Sequence, residues 1–209
     1  DPIRGWRVVQ DGTSLWYRSL GRNKKSVTLD LKSARGRALV LQLLDSADVL
    51  VENFRPGAME DWGLGPDVVK ARNPRLVYAR ISGYGQTGPY ASKPGYASVT
   101  EAFGGFRYIN GEPGKAPVRP NISLGDTVAG LHAALGITLA LLQRAKPGGE
   151  GQVVDVALYE SVFNLLEGMI PEYDGAGVVR EPAGTTVTGI VPTNTYHCDD
   201  GKYVVIGGN

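Results

Sequence analysis

The chain has 209 residues, of which 42% are hydrophobic and 21% are charged, a composition typical of a folded globular protein rather than a disordered or fibrous one. Its 22 basic and 21 acidic residues leave a net charge of +1, which does not favour nucleic acid or an anionic membrane as a partner. One cysteine and two histidines exclude an internal disulfide and leave too few ligands for a structural zinc ion, so we expect no metal.

Strands and helices alternate through the first half of the chain. Apolar and polar residues alternate at 24–31, which predicts a strand, and 33–47 then has the period of a helix with Ser33 as its cap. Its apolar face is predicted to contain Leu39, Leu43 and Leu44. Further elements are predicted at 48–53 (strand), 66–73 (helix) and 75–85 (strand). Such alternation with short links indicates a parallel α/β sheet, where ligands bind beyond the carboxyl ends of the strands.

The second half begins with a stretch rich in Gly, Pro and aromatic residues, 86–120, which predicts a long ordered loop with at most short helices. The remaining elements are predicted at 123–144 (helix), 151–158 (strand), 159–173 (helix) and 202–208 (strand). Between the last two, 180–196 is biased toward Gly, Thr and Pro. We therefore predict a large α/β domain over 1–178, and a linker with the beginning of a second domain over 179–209.

The longest apolar run, near Ile137 to Leu142, is far shorter than a membrane span, and the first residues do not resemble a signal peptide. We therefore expect no membrane partner and a cytoplasmic location, with the mitochondrial matrix left open. The chain begins at Asp1 without Met and ends in VVIGGN, where a strand-like run has just reached a Gly-rich turn. We interpret it as an internal part of a longer protein.

One carboxylate, Asp126, precedes a long run of small and apolar residues in SLGDTVAGLHAALGITLALLQR (123–144). The simplest interpretation is a helix cap, because Asp is a preferred N-cap residue. The free N–H groups and the dipole at a helix start also favour an ionised carboxylate. A catalytic role is therefore the alternative to the cap, and the rest of the chain has to decide between them.

Linked motifs along the chain resemble those of the class III CoA-transferases, the CaiB/BaiF type. They are VENFRPGAMEDWGLG (51–65), YARISGYGQTGPY (78–90), GDTVAGLHAALGI (125–137) and GEGQVVDVALYES (149–161). This family includes formyl-CoA:oxalate CoA-transferase and its relative α-methylacyl-CoA racemase. The resemblance extends from about Asn23 to the final glycines. It implies a Rossmann-like parallel sheet, chains about twice this long with one more strand and helix at the start, and an interlocked homodimer.

The resemblance also implies a covalent mechanism. The acid that opens the small-residue helix is the nucleophile acylated in this family, and it corresponds to Asp126. CoA would move from an acyl-CoA thioester to a small carboxylic acid through a mixed anhydride and an aspartyl-CoA thioester. Coenzyme A and acyl-CoA are then substrates, and no permanently bound cofactor is expected. Gly125, Ala129 and Gly130 leave space for the thioester to approach the backbone.

The remaining site residues are carried over from the family's motifs. The CoA-binding residues implied are Leu29, Lys32, Asn53, Phe54, Arg55 and Tyr96. Gly207 and Gly208 correspond to the beginning of a mobile Gly-rich loop that covers the acyl-aspartyl intermediate and offers N–H groups to its oxyanion.

Departures from the family pattern bear on the choice of reaction. Many relatives have Arg where this chain has Asp61, which leaves one CoA phosphate contact open. The racemase branch has an acid/base His where this chain has Tyr96, and a group with a pKa near 10 is a poor proton shuttle at neutral pH. We therefore favour a transferase. PVRP (117–120) resembles the corresponding segment of family members that handle dicarboxylic acyl groups, which implies Arg119 as a candidate carboxylate clamp. The alternatives are an acyl-CoA racemase or epimerase, and a catalytically silent acyl-CoA-binding, dimer-forming fragment.

Overall fold

The computed structural model describes residues 1–208 as a mixed α/β fold. Its strands and helices are, in chain order, β1 (Val9–Gln10), β2 (Thr13–Ser14), α1 (Leu15–Leu20), α2 (Ala34–Leu44), β3 (Val49–Glu52), α3 (Ala58–Asp61), α4 (Pro66–Arg72), β4 (Val77–Ser82), α5 (Ala97–Phe103), α6 (Phe106–Ile109), α7 (Leu124–Arg144), β5 (Val153–Ala157), α8 (Leu158–Phe163), α9 (Met169–Ala176), β6 (Thr193–His197) and β7 (Tyr203–Gly207).

The central sheet confirms the predicted parallel arrangement. Its strand order is β3-β4-β5, and both pairings are parallel, with Val49 opposite Val77 and Tyr78 opposite Val153. β4 lies in the middle and is buried along nearly its whole length, as expected for a parallel strand covered on both faces. The carboxyl ends of β3 and β4 therefore open onto the same edge of the sheet.

Apolar side chains pack on both faces of this sheet. One cluster contains Leu44, Met59, Leu64, Val69, Leu76 and Tyr78. The other contains Ala97, Ala129, Ala133, Val156 and Leu158. Side chains alternate along a strand, so Tyr78 and Ile81 of β4 contribute to different clusters. The alanines of the second cluster let α5 and α7 approach the sheet closely, which brings the start of α7 to the ligand-binding edge.

The strand predicted at 24–31 is wrong. Residues 24–30 belong to no strand in the part of the chain that the structure describes, because no neighbouring strand lies beside them to complete a ladder. The helix after Ser33 forms as predicted, and the Ser33 hydroxyl accepts a hydrogen bond from the N–H of Gly36 at 3.0 Å. Its predicted apolar face is only partly correct, since Leu44 is buried but Leu39 and Leu43 are exposed.

The long loop at 86–120 carries only the short helices α5 and α6, as predicted. The helix predicted at 159–173 is interrupted: α8 ends at Phe163, a 3₁₀ turn follows, and α9 starts at Met169. The break coincides with Glu167, whose φ of 51° is left-handed and incompatible with continuing a right-handed helix.

The apolar stretch of α7 is longer than the run 137–142 that the sequence analysis compared with a membrane span. The helix has 21 residues with a mean hydropathy of 1.4 over its most apolar window, so by length and composition it could cross a membrane. The expectation counted only 137–142, but the Gly and Ala residues before this run are also uncharged. The core helix of a soluble protein meets the same criterion, and here Ala129 and Ala133 are buried against the sheet.

The last two strands form a separate sheet. β6 and β7 pair in antiparallel register, with Thr193 opposite Gly207 and His197 opposite Tyr203. The residues of β7 are exposed, and several residues between α9 and β6 are exposed as well. The domain boundary between 178 and 179 remains a prediction.

Candidate active site

Asp126 lies in the first turn of α7, at the carboxyl-terminal edge of the sheet. The N-cap of this helix is Ser123, so Asp126 is its third residue and the simple cap interpretation is wrong. Its carboxylate forms no hydrogen bond or ion pair with any of residues 1–208, and the residue as a whole is exposed although neighbouring atoms partly surround its carboxyl group. A carboxylate that the fold neither pairs nor buries fully is available to a ligand.

Close packing behind Asp126 fixes the start of the helix. Gly125 is buried, and a Cβ at this position would lie 3.2 Å from the Cβ of Ala97 in α5, tighter than most real contacts. Gly130 is different, because a Cβ there would meet nothing within 4 Å. The first glycine therefore permits helix packing, and the second leaves open space beside Asp126.

Two cavities meet at Asp126. The turn-side cavity, of about 400 Å³, is lined by Asn53, Phe54, Arg55, Pro56, Ile81, Ser82, Gly83, Lys93, Pro94, Gly95, Tyr96, Asp126, Ala129, Gly130 and Leu158. The N-terminal cavity, of about 450 Å³, is lined by Trp6, Arg7, Trp16, Tyr96, Ala97, Ser98, Arg119, Pro120, Asn121, Ile122, Ser123 and Asp126. Only Tyr96 and Asp126 belong to both linings. A ligand that occupies both cavities must therefore pass this carboxylate.

A buried ion network shapes the turn that follows β3. Glu52 accepts a hydrogen bond from the N–H of Phe54 at 2.7 Å and another from Nε of Arg80 at 2.8 Å. Arg80 also donates to both carboxylate oxygens of Glu60, at 2.6 and 3.0 Å. The Phe54 ring lies edge-on to Trp62 with 5.0 Å between centroids, while 41% of the residue stays exposed. This network fixes the turn and leaves one side of Phe54 open.

Arg80 remains charged in this setting. Its burial disfavours the charged form, but the hydrogen bonds that it donates to Glu60 and Glu52 outweigh that effect and raise the pKa of Arg80 above its usual value. The hydrogen bonds from Arg80 also lower the pKa of Glu60. The turn is therefore held by charges that persist at neutral pH.

A second buried carboxylate, Glu101, lies behind Asp126. Glu101 is fully buried, and its Oε1 accepts a hydrogen bond from the N–H of Gly125 at 3.2 Å. Its Oε2 accepts from Arg107 at 3.0 Å and lies 3.3 Å from Nε of Arg119. Glu101 thus ties the first turn of α7 to an arginine in the wall of the N-terminal cavity.

These charges set the electrostatics of Asp126. Partial burial of the carboxyl group raises the pKa of Asp126, the negative charge of Glu101 raises it further, and Arg119 opposes this rise. The group therefore takes up a proton more readily than an ordinary aspartate, and it is less stabilised as an anion than one bound in an ion pair. Such perturbation in a cleft is typical of functional carboxylates.

The structure brings most of the predicted site residues together and leaves others apart. Those that line a cavity are Asn53, Phe54, Arg55, Tyr96 and Asp126. Those that line neither of the two cavities are Leu29, Lys32, Gly207 and Gly208. Gly207 ends β7, and the N–H of Gly208 donates to the carbonyl oxygen of Pro192 at 2.8 Å.

Several residues of the site are absent from the sequence-based prediction. Arg80 carried a signal that could have been used, since a charged residue within the apolar strand YARIS must find a partner. Lys93, Glu101 and Arg7 carried none. Lys93 and Glu101 stand in segments like those of ordinary surface residues, Arg7 stands beside Trp6 and Val8, and only the tertiary fold brings them to the site.

Comparison with known proteins agrees with this architecture. The chain is 49% identical over 210 residues to succinyl-CoA–D-citramalate CoA-transferase of Chloroflexus aurantiacus, covering 100% of this chain and 52% of that protein. It is 44% identical to the alpha subunit of succinyl-CoA–L-malate CoA-transferase of Chloroflexus aurantiacus, covering 99% of this chain and 49% of the subunit. The crystal structure of a CAIB/BAIF family protein from Brucella suis superimposes with a TM-score of 0.90 at 33% identity, covering 99% of this chain and 56% of that one.

The chain spans about half the length of the curated relatives that it matches. The model of one family, described as CoA-transferase family III, matches residues 1–209, the full length given for this sequence. With the parallel sheet and these similarities together, the chain belongs to CoA-transferase family III.

Proposed function

We propose that the protein containing this chain transfers CoA from an acyl-CoA thioester to a carboxylic acid, with Asp126 as the covalent nucleophile. The observation that carries this proposal is the position of Asp126 as an unpaired carboxylate, among residues 1–208, in the walls of both cavities. One cavity can then hold CoA and the other the acyl group, with the reacting carbonyl between them. Membership of the family and the names of the relatives support the reaction class.

The turn-side cavity is the proposed CoA site. Its wall offers an exposed aromatic face on Phe54 for adenine and the cations Arg55 and Lys93 for phosphates. The turn stands at the carboxyl end of β3, where ligands of parallel α/β sheets bind. Asn53 and Tyr96 complete this wall, whereas Leu29 and Lys32 would need contacts outside the cavity to take part.

The proposed chemistry divides the exchange into balanced steps. A carboxylate oxygen of Asp126 attacks the thioester carbonyl, and CoA thiolate leaves to give a mixed anhydride. The thiolate then attacks the aspartyl carbonyl, which releases the donor acid as a carboxylate and leaves an aspartyl-CoA thioester. The acceptor carboxylate repeats these steps in reverse and departs as acyl-CoA. Asp126 has to be ionised at the start because the carboxylate anion is the nucleophile, and it is regenerated as an anion at the end, so no proton is consumed overall.

Oxyanions form in each step and need N–H donors. Gly207 and Gly208 remain our proposal for part of this role. Because neither lines the two cavities here, the proposal requires the segment that contains them to move toward Asp126 during the reaction.

The relatives' names pair succinyl-CoA with D-citramalate and with L-malate. By similarity we propose succinyl-CoA as the donor and a small hydroxylated dicarboxylic acid as the acceptor. We favour this over an acyl-CoA racemase, because Tyr96 stands where the resemblance to the racemase branch implies an acid/base His.

Trapping of the intermediate tests the proposal. Full-length protein is incubated with succinyl-CoA, quenched with hydroxylamine and digested for peptide mass spectrometry. We expect a hydroxamate at Asp126, because both the anhydride and the aspartyl thioester react with hydroxylamine at this carbonyl. Asp126→Ala should abolish the adduct and lower exchange by at least about 10³-fold.

The matched control is Asp67→Ala. Asp67 is also an aspartate in the first turn of a helix, α4, but it lies outside both cavities. This variant should keep the adduct and the exchange rate. Turnover that persists in Asp126→Ala, or a hydroxamate on another residue, would reject the assignment.

A further inference from the structure

The N-terminal cavity carries an excess of positive charge beside the proposed nucleophile. Among the residues that line it, Arg7 and Arg119 are cationic and Asp126 is the one acidic residue. The cavity volume of about 450 Å³ is ample for a small acyl group. A cavity with this charge is suited to an anionic ligand group rather than to a purely apolar acyl chain.

The Arg119 guanidinium is held in place by the protein and still has N–H groups free to bind a ligand. Its Nε lies 3.3 Å from Oε2 of the fully buried Glu101, while its own side chain is 41% exposed. Its terminal guanidinium nitrogens donate no hydrogen bond to any residue within 1–208. The outer edge of a guanidinium held in this way presents two parallel N–H groups, which is the geometry that a carboxylate accepts in a bidentate pair.

Arg107 explains why the charge is not cancelled. It donates to the same Oε2 of Glu101 at 3.0 Å, and also to the carbonyl and the hydroxyl of Ser98 at 3.1 and 3.2 Å. Arg107 is thereby engaged inside the fold. One buried carboxylate thus faces two arginines, and the second positive charge remains available at the cavity wall.

Arg7 and its neighbours complete the wall. The Arg7 guanidinium lies over the ring of Trp16 at 4.2 Å, and Trp6 stacks on Trp16 with 6.3 Å between centroids. These rings offer apolar surface for the methylene groups of a short chain and keep Arg7 close to the cavity. The wall of the cavity therefore combines apolar ring surfaces with two cations, and it contains the proposed nucleophile Asp126.

We propose that the N-terminal cavity selects dicarboxylic acyl groups, that Arg119 binds the distal carboxylate, and that Glu101 is a positioning residue that places Arg119 relative to Asp126. This inference rests on the proposed function and adds the recognition element to it. Glu101 contacts the protein at both ends of the proposed acyl site: it lies beside Arg119, and it accepts the hydrogen bond from Gly125, the residue before Asp126.

The experiment compares succinyl-CoA with butyryl-CoA, an ester of the same chain length that lacks the distal carboxylate. Exchange by the full-length protein is measured with both esters. Arg119→Gln should lower kcat/KM for succinyl-CoA by about 10- to 100-fold, the range expected for a hydrogen-bonded charge, and change that for butyryl-CoA by less than about 3-fold. Arg119→Lys should recover part of the preference because it keeps the charge.

Two further variants separate recognition from damage to the fold. Glu101→Gln keeps an acceptor for the N–H of Gly125 but releases Arg119, so it should raise KM for succinyl-CoA more than KM for butyryl-CoA. Arg72→Gln removes an arginine that also pairs with a carboxylate, that of Asp45, but lies outside both cavities, and it should leave the ratio of the two esters within about 2-fold. A merely structural role for Glu101 would affect both esters alike.

The outcomes are distinct from those of the trapping experiment. Equal losses with both esters in Arg119→Gln, while Asp126 is still acylated, would overturn the inference and leave the proposed function intact. Absence of acylation with either ester would instead reject the proposed function.

Discussion

Asp126 combines two opposing influences within a single residue. The start of α7 favours its anion, whereas partial burial and the neighbouring Glu101 raise the pKa of Asp126. A carboxylate with a raised pKa is a stronger nucleophile when it is ionised, but it is lost to protonation at a higher pH. The raised pKa therefore lowers the fraction of Asp126 that is ionised at acidic pH and makes the ionised form more nucleophilic, as expected of a functional acid.

The pH dependence of exchange follows from this arrangement. In the proposed mechanism Asp126 attacks as an anion, so activity should fall as the pH drops through its raised pKa, above the usual value of about 3.9. Glu101→Gln removes a negative charge and should move this acidic limb to lower pH, whereas Arg119→Gln removes a positive charge and should move it to higher pH. The measurement is kcat/KM against pH for the two variants and the parent protein. Shifts in the same direction would contradict the assignment of the limb to Asp126.

The sequence predicted this residue because its signals are local. An acid, flanking glycines and a helix start all lie within a few positions of Asp126. Glu101 could not be found in the same way. It stands in TEAFGG, a segment like many exposed short helices. Its partners are Arg107 on the next helix, and Arg119 and the start of α7 beyond the long loop, and the local pattern indicates none of these contacts.

At the scale of elements, the β3 turn depends on β4. The Arg80 side chain is 6% exposed and that of Glu52 is 3% exposed, so removing Arg80 would leave the Glu52 carboxylate buried without its cation. Arg80→Leu should therefore destabilise the protein by about 3–5 kcal/mol and lower its melting temperature by at least about 6 °C. Loss of the support for Phe54 should also weaken CoA binding.

The double variant Arg80→Leu/Glu52→Gln is the control for this prediction. It no longer contains an uncompensated buried charge at Glu52, and the amide oxygen introduced there can still accept the hydrogen bond from the N–H of Phe54, so part of the lost stability should return. Melting temperatures of the parent, both single variants and the double variant give the coupling between the two residues. Additive losses would show that the ion pair does not hold the turn.

The sequence predicted correctly those elements that depend on residues within one segment. It failed at 24–31, where a strand would have required pairing with another segment. α2, α4, α7, β3, β4 and β5 follow from periodicity and caps inside their own segments. Residues 24–30 have the alternation of a strand but no adjacent strand in the described part of the chain, since β3 pairs with β4 alone. Alternation within one segment shows which side chains could share a face of a strand. It does not show whether a second strand lies beside that segment to accept its backbone hydrogen bonds.

At the scale of the whole molecule, many large apolar side chains of this chain are exposed rather than packed against other residues. Leu131, Leu135, Leu139 and Leu142 recur along one side of α7, and each is at least 58% exposed. Val178 and Val179 are also half-exposed after α9, and Val191 is 89% exposed. A surface of this kind indicates burial against other polypeptide, either elsewhere in the full-length protein or in a second copy.

We propose that full-length copies form an interlocked homodimer, with the segment from Glu167 to Thr195 as the strap between the two domains. This segment has too few apolar residues to pack on its own domain, and its exposed valines would gain burial from a second chain. Linked chains cannot separate unless one of them unfolds. We therefore expect sedimentation velocity of fluorescently labelled full-length protein to show a dimer even at nanomolar concentration. Dimers carrying different labels should exchange subunits only after denaturation, and a reversible monomer or rapid exchange under native conditions would reject the interlocked arrangement.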